Sequence, residues 1–247
     1  MRARPYLFAA ILFLAVTAAG AAVAQSVTLD LGQGGGGLTG RIVQLIALTT
    51  VLTLAPGVLV VITSFTRIVV VLSLLRSAIG LQTTPPNVVL ISLALFLTLF
   101  IMAPAMERAY RDGVAPLIEE TIDEETAFAR ASAPFHEFMR THVRENDLKL
   151  FMDMGKIAPV ASPQDLPFRA LVPAFMISEL KRAFEIGFLV FVPFLIIDMV
   201  VSSLLMSMGM MMLPPVMISL PFKLIFFVLV DGWNLIAGSL VRSFGGG

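Results

Sequence analysis

Long runs without a charged side chain most limit what this chain can fold into. The segment between Arg41 and Arg67 holds 25 uncharged residues, Val88–Met106 holds 19 and Met199–Phe222 holds 24. About 20 apolar residues suffice for a helix to cross a bilayer, where every backbone polar group must be satisfied within the helix. Only 14% of the chain is charged, against about a quarter in soluble domains. We therefore expect an all-α, membrane-associated fold.

Turn-forming residues divide these runs into two long, broken helical hairpins. The first is expected over 41–106, with a turn at Gln82–Asn87 and a first arm broken at Pro56-Gly57. The second is expected over 173–247, with a methionine-rich tip that runs into Pro214-Pro215. Because prolines interrupt helical hydrogen bonding, this tip should be a loop or a broken helix.

The amino terminus has the pattern of a secretory signal peptide. A positively charged start and a short apolar run precede the small-x-small sequence Ala22-Val23-Ala24. We expect a signal peptide over 1–24, cut between Ala24 and Gln25, and a glycine-rich flexible linker over 25–40. Cleavage would place the mature amino terminus on the periplasmic side of a bacterial inner membrane. The alternative is an uncleaved first membrane helix.

A polar helical region separates the hairpins over 107–172, and the cleaved-signal topology places it in the periplasm. It holds 12 acids and eight bases. We expect one helix over Pro116–Ala131 and a second from Ser132 or Pro134 to Arg144. The acidic run in the first of these helices could bind basic segments, although such runs more often simply face water.

Three ionisable residues interrupt the apolar second hairpin: Asp198, Lys223 and Asp231. Each would cost about 2.5–3.5 kcal/mol if it faced lipid at a helix centre, so each should face protein or water and have a partner. Asp198 and Lys223 lie 12 residues from Met210 and Met211, respectively. A hairpin that turns there would set them at one height, which predicts an Asp198–Lys223 pair. Lys223 and Asp231 also share a helical face. Such groups could be purely structural or functional.

Basic residues are distributed poorly for a free-standing four-helix membrane protein. A cleaved signal and four crossings place both hairpin tips inside, where Lys and Arg should be frequent. The first tip offers Arg76, with Arg67 further up its arm, and the second has no base. Together with the broken helices and embedded charges, this suggests that other protein covers much of the apolar surface.

No catalytic motif is recognisable. The sequence has no GxxxxGK[ST] loop, HExxH helix or GxSxG elbow. Ser178, Glu179 and Asp198 are too scattered for a catalytic constellation. The chain has no cysteine, and His136 and His142 stand in no metal-ligand pattern. We expect no enzyme activity and no cofactor. A net charge of zero gives no electrostatic case for nucleic acid.

The tip is unusual in composition, because five of the seven residues from 206 to 212 are methionines. Methionine is flexible and polarisable, so it packs against many shapes. A ring of such loops could close around a pore and deform as a chain passes. Ordinary core packing is the alternative for the tip. For the whole chain, the alternative is an independent proton or ion channel or transporter subunit, with a path through Asp198, Lys223 and Asp231.

Three long segments resemble a known family. Thr63–Ala105, Pro173–Val201 and Met210–Leu235 are similar to the FliP family of flagellar and virulence type III export-gate subunits, with the flagellar branch favoured. The resemblance implies a non-enzymatic, all-helical subunit of a helical, pentamer-like ring in the flagellar basal body at the inner membrane. It also implies FliQ- and FliR-like partner subunits, a FlhB-like switch protein, and unfolded flagellar substrates that pass through the pore.

The resemblance also implies roles for particular residues. The gasket that closes the pore would consist of Met208, Met210, Met211 and Met212. Glu179 and Lys223 match charged family positions that support intersubunit contacts or gating. Glu179 is therefore a second candidate partner for Lys223 beside Asp198, and the sequence leaves both open.

Overall fold

The structure is a computed structural model that describes residues 60–158, 160, 162–210 and 212–245, together with residues 43, 45, 46, 49, 50, 53, 54, 57 and 58. The chain divides into two compact units, Met1–Leu48 and Thr49–Gly247. Residues 43, 45 and 46 of the first unit are helical. All elements given below belong to the second unit.

Several expectations fall on residues outside the described part of the chain. These are the signal peptide over 1–24, its cleavage between Ala24 and Gln25, the linker over 25–40, and Pro56 in the first arm. They remain predictions.

The first hairpin consists of α1 (Phe65–Ile79) and α2 (Asn87–Ala109). α1 ends where Gly80 adopts a left-handed conformation with φ 92°, while its N–H and that of the next residue donate to carbonyls of the last turn. Glycine takes this conformation readily because it has no Cβ. Residues 81–86 are not helical, so the expected turn at Gln82–Asn87 is confirmed to within one residue.

The helical backbone continues beyond the apolar part of α2. A π-helical turn at Tyr110–Val114 and the short helix α3 (Ala115–Ile118) follow directly. Gly113 in this turn is buried against α4 (Glu124–His142), where a Cβ would lie 2.7 Å from the backbone nitrogen of Ala131. The missing side chain therefore permits a close approach between the π-helical turn and α4.

The polar region consists of α4, α5 (Glu145–Met154) and a 3₁₀ turn at Pro163–Asp165. The expectation of one helix over Pro116–Ala131 is wrong, because α3 and α4 are separated by residues 119–123. The boundary expected near Pro134 is absent from this described segment, since Pro134 lies inside α4. An interior proline removes one backbone hydrogen bond, yet Pro134 is buried and the helix continues through it.

The second hairpin consists of α6 (Phe168–Ser207), α7 (Pro215–Leu229) and α8 (Gly232–Arg242). α6 has 40 residues. At 1.5 Å per residue it is about 60 Å long, roughly twice the thickness of a hydrocarbon core. α7 and α8 meet at a bend of 63°.

α1 lies at the centre of the packing. Its first half packs with α2, α6 and α8, and its second half packs with α6 and α7. Arg67 of α1 meets Glu179 of α6, and Ile79 lies in one cluster with Phe194. The two helices therefore run parallel. The buried side chains of α1 in these clusters are Ile68, Val71, Leu72, Leu75, Ala78 and Ile79.

Membrane-length helices occur in both hairpins. Asn87–Ile118 and Phe168–Ser207 are long and apolar enough to cross a membrane, and the bent pair α7–α8 would add a third span if counted as one. Large apolar side chains remain exposed on these helices, including Phe96, Phe100 and Phe188. Every regular element of the described residues is helical, so the expected all-α, membrane-associated fold is confirmed.

Candidate functional site

Lys223 and Asp198 form an ion pair between the two arms of the second hairpin. Nζ of Lys223 lies 2.6 Å from Oδ2 of Asp198, and the hydroxyl of Ser219 donates to Oδ1 at 2.5 Å. Lys223 is buried and Asp198 is half-buried. The structure thus brings together the two residues whose equal spacing from the tip predicted a pair.

The same ammonium group also caps α1. Nζ of Lys223 donates to the carbonyl oxygen of Ala78 at 3.2 Å, in the last turn of that helix. Carbonyl groups at a helix end lack intrahelical partners, and a cation there interacts favourably with the helix dipole. Lys223 therefore joins α7, α6 and α1 at one point.

Glu179 pairs with Arg67, and Lys223 pairs with Asp198. Nε of Arg67 donates to Oε2 of Glu179 at 2.8 Å, and Nη2 donates to Oε1 at 2.5 Å. This two-point geometry suits the planar guanidinium. The two side chains are 1% and 0% exposed. The sequence left Asp198 and Glu179 open as partners of Lys223. Within the single chain, Lys223 pairs with Asp198.

Sequence reasoning missed Arg67 as a buried partner and treated it only as a base on a hairpin arm. A signal was present, because 25 uncharged residues precede Arg67 and eight follow it. An ionised group inside such a run needs a partner within the protein. Spacing could not identify that partner, since Glu179 lies 112 residues away.

A turn after α8 covers the remaining part of the Arg67 side chain. Nη1 of Arg67 donates to the carbonyl oxygen and to the hydroxyl of Ser243, both at 2.9 Å. Cζ of Arg67 lies 3.6 Å from the ring centroid of Phe244, within the range of a cation–π interaction. Phe244 also stacks on Phe138, with ring centroids 5.9 Å apart, and its carbonyl oxygen lies 3.3 Å from Nε2 of His142.

The expectation that Asp231 lies inside a helix as a buried charge is wrong. It is exposed and stands at the bend between α7 and α8, in the left-handed region with φ 51°. α7 ends at Leu229, so Lys223 and Asp231 do not share one helical face. The structure therefore corrects the position of Asp231, and it lies apart from the Asp198–Lys223 pair.

The methionine-rich tip is a loop between α6 and α7. α6 ends at Ser207, Gly209 adopts φ 73°, and the N–H of Met210 donates to the carbonyl of Leu205. These contacts are those of a glycine-terminated helix. Met211 lies outside the described residues. The exposed fractions are 59%, 64%, 41% and 98% for Met206, Met208, Met210 and Met212.

A further polar cluster joins the polar region to α6. Nε and Nη2 of Arg144 donate to the two carboxylate oxygens of Asp147, both at 2.8 Å, and the hydroxyl of Ser178 donates to Oδ2 at 2.6 Å. The hydrogen bonds from Arg144 lower the pKa of Asp147 below its usual value; burial opposes this shift and Ser178 supports it. The Asp147 carboxylate thereby links α5 to α6.

The histidines take part in helix contacts. Nε2 of His136 lies 2.8 Å from the carbonyl oxygen of Leu166, and Nδ1 of His142 lies 2.8 Å from that of Phe138. Within the part of the chain that the structure describes, no three His, Cys, Asp or Glu side chains are grouped as metal ligands.

Membrane-length helices, ionised side chains paired at helix contacts and an exposed apolar loop define an α-helical membrane-protein class. A sequence model of the FliP family matches residues 48–240. The flagellar biosynthetic protein FliP of Caulobacter vibrioides is 61% identical over 91% of this chain and 84% of its own. Those of Rhizobium meliloti and Bacillus subtilis are 50% and 56% identical, over 96% and 82% of this chain and 98% and 91% of their own. The chain belongs to the FliP family.

Proposed function

We propose that this chain is a non-enzymatic core subunit of the flagellar type III protein export gate and contributes to the pore for unfolded export substrates. The observation that carries the proposal is the exposed methionine-rich loop at the tip of a hairpin. Membership of the FliP family, and relatives named as flagellar biosynthetic proteins, support the flagellar setting.

The proposed gasket consists of Met208, Met210, Met211 and Met212. Met212 is 98% exposed, and the loop lies between two helices rather than in a helical core. Flexible, polarisable side chains adapt to many shapes. Several such loops around one axis would exclude water and ions at rest and deform when an unfolded chain passes.

The two arms of the second hairpin are held to α1 at one point, and they present an apolar surface between that point and the tip. The Asp198–Lys223 pair and the carbonyl of Ala78 hold both arms to α1. Beyond this point an apolar groove runs between α6 and α7, lined by Val200, Leu204, Ile218 and Phe222 among others. Arms that are held to α1 and carry an exposed apolar groove near the tip suit a loop that contacts its copies in a ring.

Charge placement supports a protein-covered rather than lipid-covered setting for much of α6. Ala183 packs in one cluster with Leu90 and Ala94 of α2, so Lys181 and Glu185 lie level with the apolar run of α2. Their side chains are 52% and 59% exposed. A bilayer around that run would place these charges in hydrocarbon, at about 2.5–3.5 kcal/mol each near its centre.

The proposed partners follow from these uncovered surfaces and from the family. Copies of this chain would form a pentamer-like helical ring with FliQ- and FliR-like subunits, and a FlhB-like protein would bind at the entrance. Glu179, Asp198, Lys223 and Asp231 are proposed to support contacts between or within subunits. The assembly would sit in the basal body at the inner membrane, with the mature amino terminus in the periplasm.

Replacement of Met210, Met211 and Met212 by Ala tests the gasket. The variant complex should assemble normally but allow small ions to cross the membrane, because shorter side chains leave gaps at the constriction. Ion leak in cells or vesicles and recovery of the complex by co-purification are the measurements.

A control replaces two exposed methionines away from the tip, Met154 and Met199, by Ala. This control should keep the seal. A tight seal in the tip variant, or an equal leak in the control, would count against the gasket. A chain that is stable and conductive without partner subunits would instead favour an independent ion channel.

A further inference from the structure

The way in which α8 is held to the bundle differs from that of the other long helices. Among the residues of α8, Leu240 is fully buried against the core around α1, and Gly232 is covered by Phe227 of its own hairpin. Ile236 is partly buried against two core clusters, and the ring of Trp233 packs edge-on against Phe227 at the bend, with centroids 5.3 Å apart. Beyond the bend, the fully buried contact of α8 therefore lies at its far end, at Leu240, where a partly buried turn follows.

That turn makes specific contacts with a buried cation. The carbonyl and hydroxyl oxygens of Ser243 accept both N–H groups of Nη1 of Arg67, and the Ser243 hydroxyl donates to the carbonyl of Leu240 at 2.7 Å. The ring of Phe244 covers the guanidinium face at 3.6 Å. Glu179 satisfies the other side of Arg67. Without the turn, a buried guanidinium would lose two acceptors and its aromatic cover, which is unfavourable.

The other end of α8 is a bend in the chain. Asp231 stands in the left-handed region with φ 51°, between helices that meet at 63°. Beyond this bend, α7 is held independently by Lys223, through Asp198 and the carbonyl of Ala78. The polar contact that holds α7 therefore involves no residue of α8.

We propose that α8 is a hinged arm, with its hinge at Asp231 and a latch formed by Ser243 and Phe244 on the buried Arg67. Release of the latch swings α8 away and uncovers the core surface around Leu90 and Ala94, while the Asp198–Lys223 contact stays closed. The latch is a property of the single chain and does not depend on the proposed export function.

Cysteine labelling in membranes tests the latch, because the chain has no cysteine of its own. Leu240→Cys reports on the fully buried end of α8, and Ala78→Cys reports on the buried contact near Lys223 while leaving the backbone carbonyl that Lys223 binds in place. With the latch intact, both positions should react slowly with a maleimide. Phe244→Ala should raise the reaction rate at Leu240→Cys by about tenfold or more, because the opened state becomes more populated.

Phe128→Ala is the matched control, since Phe128 is an exposed phenylalanine on α4, and it should leave both rates unchanged. Removal of residues 243–247 is a second latch variant and should act at least as strongly as Phe244→Ala. Equal reactivity of Leu240→Cys in the latch variants and the control would overturn the proposal. Faster labelling of Ala78→Cys in the latch variants would also overturn it, because the turn would then hold the whole bundle rather than α8.

Discussion

Replacing Glu179 by Gln tests whether the buried Arg67–Glu179 pair holds α1 to α6. The substitution keeps the size of the side chain but removes its charge. It leaves the Arg67 guanidinium as an uncompensated cation, 1% exposed, and replaces one carboxylate acceptor by an amide donor. Breaking one partner of a buried pair costs about 3–5 kcal/mol, a large part of a typical stability of about 5–15 kcal/mol.

Glu185→Gln on the same helix is the matched control. Glu185 lies 3.8 Å from Lys181 in a pair whose side chains are 59% and 52% exposed. Such surface pairs contribute about 0–1 kcal/mol. The same chemical change in α6 should therefore have a small effect at Glu185 and a large one at Glu179.

Thermal and denaturant unfolding of the purified chain in mild detergent measures the difference. For a domain of this size, a change of 1 kcal/mol in the free energy of unfolding shifts the melting temperature by about 2–4 °C. Glu179→Gln should therefore lower the melting temperature by roughly 6–20 °C. If Glu179→Gln lowers the free energy of unfolding by an amount within about 1 kcal/mol of the effect of Glu185→Gln, the reasoning is refuted. The double variant R67M/E179M should recover much of the loss, because apolar residues can replace a buried pair with little change in stability. A double variant as unstable as Glu179→Gln would show that the unpaired charge is not the cause.

Two other ionic contacts give predictions. The single reversals D198K and K223D should each destabilise the chain by several kcal/mol, since each sets two like charges together in a largely buried site. D198K/K223D should recover part of that loss in the same unfolding assay, with the carbonyl of Ala78 opposing full recovery; a double variant no more stable than the singles would contradict the pairing. Asp147 has a lowered folded pKa, so its contribution to stability is present above its unfolded pKa of about 3.9 and is lost as pH falls through the folded value. Asp147→Asn should flatten the fall of unfolding free energy below about pH 4, and an unchanged acid profile would speak against this role.

Much of the local structure could be predicted because it depends on neighbouring residues. Gly80 ends α1 and the turn before Asn87 begins α2, as turn-forming residues indicated. The break near Pro214-Pro215 was likewise predictable from the local sequence. Proline inside a helix misled the prediction at Pro134, because burial within α4 outweighed the loss of one hydrogen bond.

The amino-acid sequence by itself determined the all-helical class and the break at the methionine-rich tip. It left Glu179 and Asp198 both open as partners of Lys223, while equal spacing from the tip predicted an Asp198–Lys223 pair. That pair lies across one hairpin, and equal numbers of residues at 1.5 Å per residue bring both side chains to the same height. Only the tertiary structure decided that Glu179 meets Arg67, that Ser243 and Phe244 complete the same cluster, and that Asp231 stands at an exposed bend. These contacts join segments more than 100 residues apart or depend on where a helix ends, so helix packing, rather than spacing along the chain, brings their partners together.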